Sequence, residues 1–155
     1  MQPLTVPGTL DSLKAIANYV LAAADAAGLD KKASYNLRLA ADEIATNIIT
    51  YGYLEAGRSG AVDLRAEVGE NTLTVTLEDT AEAFDPLLKY AQQKKMLQLP
   101  IEQQTIPGRG IILVVESVDK FLYERVGDRN RNIFVMNRPT DRPPASQTQS
   151  PERAP

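Results

Sequence analysis

The chain has neither cysteine nor histidine among its 155 residues. Without cysteine there is no disulfide, no thiol nucleophile and no thiolate metal site. Without histidine there is no Ser-His-Asp triad, no imidazole general base and no histidine zinc site. Nor can the chain phosphorylate a histidine of its own. A net charge of -3 lacks the clustered Lys and Arg that displace counterions from a nucleic acid, so no nucleic-acid partner is expected. Long apolar runs are missing as well. The longest purely aliphatic stretch, Ile111 to Val115, is far short of a membrane span. The opening residues MQPLTVPGTLDSLK show no basic region followed by an apolar run, as a secretory signal needs. A reduced, cytoplasmic setting without membrane contact follows.

The length suits one domain with a full core. Its most informative stretch is LRLAADEIATNIITYGY, residues 37 to 53. On a helix, Glu43 and Asn47 stand at i and i+4 and leave from one face. Leu37, Ala41, Ile44 and Ile48 form a buried stripe beside them. An amide oxygen suits a hard cation such as Mg2+, and a carboxylate one turn away can orient or deprotonate a nucleophile. The same pair is common on solvated helix faces, so the spacing alone leaves both readings open.

Periodicity places the other elements. Gln2 to Val6 reads as extended, stopped by Pro7-Gly8. A helix capped by Thr9 or Asp11 runs to about Ala27, burying Leu10, Leu13, Ile16, Ala17, Val20 and Leu21, and Gly28 ends it. The second helix starts near Lys31 to Ser34 and continues to about Thr50, with Tyr51 and Tyr53 as packing residues. AVDLRAEV and NTLTVTLED alternate as antiparallel strands around Gly69-Glu70-Asn71. From Thr80 to Pro107 no period holds, which fits either a lid or a poorly patterned surface helix. Gly108-Arg109-Gly110 opens an apolar helix expected to be largely buried. A final hairpin follows, its strands Asp119 to Val126 and Arg131 to Arg138 joined through residues 127–130. Half of the ten prolines lie beyond Arg138, where little is apolar. Residues 1–138 therefore read as the domain and 139–155 as a Pro-rich disordered tail. The order of elements implies a two-layer α/β sandwich, a mixed, mostly antiparallel sheet with helices on one face.

Three separated patches occur in a fixed order: DEIATNIITYGY, then EDTAEAFDPL, then PGRGIILVVESVDKFLYERVGDRN. Together they resemble the GHKL (Bergerat-fold) ATPase superfamily, and within it the small anti-sigma-factor serine/threonine kinases of bacterial partner-switching systems. The resemblance covers residues 1 to about 138. It implies a Bergerat-type sandwich that binds ATP with Mg2+. By the same resemblance Asn47 holds the metal, Glu43 acts as general base or orients the attacking hydroxyl, and Asp79 accepts from the adenine exocyclic amine. Gly108 and Gly110 bring backbone N–H groups to phosphate at a helix N-terminus, where the dipole favours anions. Arg109 between them is placed to add a charge-assisted contact.

The chain departs from the family pattern at Ala81, where glycine is common two residues after the aspartate, and at Ile112, where a further glycine often occurs. Tyr51 stands where histidine is frequent. The implied function is phosphorylation of a serine on an anti-sigma-factor antagonist, with a sigma factor or similar target competing for the same homodimer. A nucleotide-gated, non-catalytic partner-binding regulator of the same fold is the alternative, and a stand-alone ATPase ranks below both.

Overall fold

The computed structural model describes residues 1–103 and 110–139. The expected tail and the turn residues Gly108 and Arg109 lie outside the described residues. Five strands form one sheet: β1 (Leu4–Pro7), β2 (Ala61–Val68), β3 (Thr72–Asp79), β4 (Lys120–Val126) and β5 (Arg129–Asn137), in spatial order β1-β2-β3-β5-β4. Every neighbouring pair is antiparallel, against an expectation of a mixed, mostly antiparallel sheet. Four α-helices complete the described fold: α1 (Leu13–Ala26), α2 (Lys31–Asn47), α3 (Pro86–Met96) and α4 (Gly110–Ser117).

Alternation decides which face the helices cover. Val62, Leu64, Ala66, Leu73, Val75 and Leu77 point inward from β2 and β3, and Phe134 and Met136 continue the face on β5. Phe121 on β4 sits opposite Phe134, ring centroids 5.2 Å apart at 60°. Ile16 and Val20 of α1 and Leu37, Ala41 and Ile44 of α2 pack onto this layer. At about 25 cal/mol per Å² of apolar surface, this shared core is the main stabilising contribution.

Asp30 caps α2 through Ala33 N–H at 2.8 Å, and Gly28 ends α1 at φ 76°. Several expectations need correction. Neither Thr9 nor Asp11 caps α1: a 3-10 turn over Leu10–Ser12 precedes it, and the two side chains bond to each other. Leu10, in that 3-10 turn, and Leu21, on the margin of the buried α1 stripe through Ile16, Val20 and Ala23, are both exposed. In the patternless stretch the surface-helix reading holds over α3, whose cap is Asp85, bonding Leu87 N–H at 2.9 Å, with Pro86 at the first helical position. α4 buries Ile111 and Val114 but leaves Leu113 in water, since α2 and α3 cover only part of its surface. The last hairpin turns on Gly127 and Asp128 alone, so Arg129 and Asn130 belong to β5.

Candidate functional site

α2 carries regular α-helical bonding as far as Asn47, and Ile48–Leu54 then winds as a π-helix. Such wide turns concentrate at functional sites. Here the turn separates two tyrosines that the sequence treats alike. Tyr53 is buried, its hydroxyl donating to Ala61 O at 2.8 Å and accepting from Thr80 N–H at 3.0 Å. Tyr51 is 62% exposed and lines a cleft, so it is not the packing residue expected.

That cleft has a volume of about 580 Å³. Glu43 and Asn47 of α2, Asp79 at the end of β3 and Gly110 at the start of α4 all line it. Four of the six expected site residues therefore share one cavity; Gly108 and Arg109 lie outside the described residues.

Asp79 is 1% exposed. Its Oδ1 accepts from Asn130 Nδ2 at 2.9 Å and from Ala81 N–H at 3.0 Å, while Oδ2 has no hydrogen-bond partner. Burial pushes the carboxyl above the ordinary carboxylate range, opposed by the bonds from Asn130 and Ala81 and by the Arg125 and Arg129 charges. A buried acceptor without a donor costs stability. In a cleft wall it is also a ready partner for a ligand N–H.

Asn130 was not singled out by the sequence, yet it organises this end of the cleft. Beyond Asp79, its Nδ2 also donates to Ala81 O at 3.2 Å and Glu82 O at 3.0 Å. Its Oδ1 accepts from Phe84 N–H and from the Tyr123 hydroxyl. Two places along β5, Asn132 also lines the cleft, 3% exposed, with Oδ1 unpartnered. A signal existed: Asn130 and Asn132 share the inward register with Phe134 and Met136, and polar side chains there break the apolar alternation. Placing Asn130 in a turn hid it. Lys89 and Gln93 of α3, also unforeseen, line the cleft from above.

Gly110 has a role distinct from the expected backbone contact. A Cβ there would lie 2.6 Å from Glu43 Cδ, so the missing side chain lets the Glu43 carboxylate reach the N-terminal end of α4. The Ala81 methyl lines the cleft. It faces Gly52 in the π-helical turn, where an added Cβ would come within 2.9 Å of it. Ile112, where a further glycine is common, donates its N–H to Gln93 Oε1 at 3.3 Å.

Among the described residues, no cluster of three or more Asp or Glu could cage a metal. Mg2+ is commonly held by one or two protein ligands together with substrate phosphates. Asn47 and Glu43, half-buried neighbours on α2, offer such a sparse donor set.

The family model described as histidine kinase-like ATPase domain matches residues 6–137. The chain belongs to that family. No curated protein gives a significant match. The ATPase domain thus extends from β1 through β5, and the cleft between its helices and the ends of β3 and β5 lies wholly within it. It is a GHKL-type, ATP-binding, kinase-like domain. Among its described residues no helix is long and apolar enough to cross a membrane.

Proposed function

We propose that this ATPase domain is a serine/threonine protein kinase of a partner-switching system, which phosphorylates a serine on an anti-sigma-factor antagonist. The observation that carries the reading is the shared cleft, with Asp79 Oδ2 unpartnered in one wall and Glu43 beside Asn47 in another. Asp79 receives the adenine amine, and Asn130 holds Asp79 in place. Asn47, with Glu43 close by, would hold Mg2+, which would supply charge neutralisation on the phosphates. Gly110 opens α4, and by the family resemblance it would contact phosphate together with Gly108 and Arg109, which precede it in the sequence.

In the transfer step the partner's serine oxygen bonds to the γ-phosphorus, and the bond from that phosphorus to the β–γ bridging oxygen breaks, releasing ADP. The serine proton passes to Glu43. Positioning and charge stabilisation supply most of the catalysis in such reactions, so a site without histidine or cysteine is adequate. The unphosphorylated antagonist and a sigma factor, or a similar target, compete for the same homodimer.

Thermal unfolding with and without Mg-ADP tests the nucleotide site. At about a hundred times the dissociation constant, ligand adds roughly 2.7 kcal/mol, a shift of several degrees. Wild type should show it and Asn47→Ala should lose its metal-dependent part. No shift at millimolar Mg-ADP sinks the reading. Glu43→Ala separates a kinase from a nucleotide-gated binder: a kinase keeps the ADP shift and loses phosphate transfer, whereas a binder keeps both the shift and its partner.

A further inference from the structure

We infer that Lys89 of α3 is a second cation, beside Arg109, that meets a nucleotide's phosphates in this cleft, and that Gln93 positions α3 for it. The inference rests on the nucleotide reading above. α3 turns Pro86, Lys89 and Gln93 toward the cleft, spaced three and four residues apart as one helix face requires. Gln93 is 8% exposed, unusual for a glutamine on a surface helix, and accepts from Ile112 N–H in the first turn of α4. Two further contacts fasten the same pair of helices: the Tyr90 hydroxyl and Lys94 Nζ both reach Glu116 Oε2, at 3.2 and 3.3 Å. α3 is therefore docked where α4 begins. Lys89 stands one turn back from Gln93, about 6 Å along the axis, toward the end closed by Pro86 and Phe84.

Charge points the same way. Among the described residues lining the cleft, Glu43, Asp79 and Glu82 are acidic and Lys89 is the one cation. A nucleoside diphosphate or triphosphate adds several negative charges to this already acidic lining. Neighbouring cations are engaged elsewhere: Arg58 with Thr80 O, Arg125 with Ala81 O, Lys94 with Glu116. Lys89 has no ion pair among the described residues. An ammonium on a flexible four-carbon stem acts as a point charge, so an arginine can replace it and a neutral side chain cannot.

The test is calorimetric binding of adenosine, Mg-ADP and Mg-ATP to the full chain and to its Lys89→Met and Lys89→Arg forms. Methionine keeps the length of the stem and removes the charge. Lys89→Met should bind Mg-ADP and Mg-ATP about tenfold more weakly, with adenosine unchanged and Lys89→Arg close to wild type. The deficit should shrink as salt rises, because Lys89 is exposed. Equal nucleotide affinities in Lys89→Met and wild type overturn the inference and leave the nucleotide site standing. Adenosine weakening in step with the nucleotides also overturns it, since Lys89 then supports the docking of α3. Wild type that binds none of the three removes the nucleotide reading and this inference with it.

Discussion

Asp79 places one oxygen in a full set of hydrogen bonds and leaves the other buried without a donor, so the charged form is disfavoured and its pKa is raised. The sign of the consequence is fixed. A carboxyl that holds its proton more tightly folded than unfolded opposes folding once ionised, and stability is lost as pH rises through the raised value. Asp79→Asn removes that ionisation and keeps an oxygen for Asn130. At neutral pH it should unfold at a higher temperature than wild type, and the gap should close as the buffer is acidified toward the ordinary carboxylate range. Stabilisation by Mg-ADP should disappear in the same variant; a retained shift would show that Asp79 is not a base ligand. Gly110→Ala provides a second separation. The group displaced is the end of the flexible Glu43 side chain, so the unfolding free energy should change by less than about 1 kcal/mol. Phosphate transfer should fall sharply, because Glu43 is pushed off the start of α4.

At the scale of elements, the π-helical turn and the loop after β3 are matched to each other. Gly52 leaves room for the Ala81 methyl, and the Tyr53 hydroxyl and Arg58 hold Thr80 from either side. Gly52→Ala alone forces two methyl carbons together and should cost about 1–3 kcal/mol in urea unfolding. Combined with Ala81→Gly the loss should be largely recovered, a coupling that independent sites would not display. The departure at Ala81 is thus answered by a glycine twenty-nine positions earlier in the chain. Helix periodicity identified α2 and its stripe, since Leu37, Ala41, Ile44 and Ile48 are all buried. It did not identify α3, because that helix buries only Pro86 and Gln93 and packs just Leu87 and Tyr90 partly against the core, too short an apolar stripe to reveal its period.

Across the whole molecule, the face of the sheet opposite the helices carries a charged network beside the apolar Leu122, Ile133 and Val135. Arg129 bridges Asp63 and Glu78, and Arg131 bridges Glu78 and Glu124, linking β2, β3, β5 and β4 through one nearly buried glutamate. Glu78 is 9% exposed with the guanidinium groups of Arg65, Arg129 and Arg131 on it, so its removal strands partly desolvated charges. Glu78→Ala should cost about 1–3 kcal/mol, read as a lowered urea midpoint with the slope unchanged. These pairings were invisible along the chain: Asp63 and Arg129 are sixty-six residues apart and meet only because β3 lies between their strands.

By itself the sequence determined which chemistry is excluded, which segments alternate or repeat with a helical period, and that Glu43 and Asn47 share a helix face. These are local properties, set by residue type and by spacings of two to four. Tertiary structure decided that Asp79 and Gly110 join that pair around one cavity, and that Asn130 and Asn132 face inward with them. It also decided that Tyr51 stays exposed where Tyr53 is clamped, and that Lys89 and Gln93 look into the cleft. Each of these depends on which distant backbone lies alongside, and burial and hydrogen bonding are properties of that assembled surrounding.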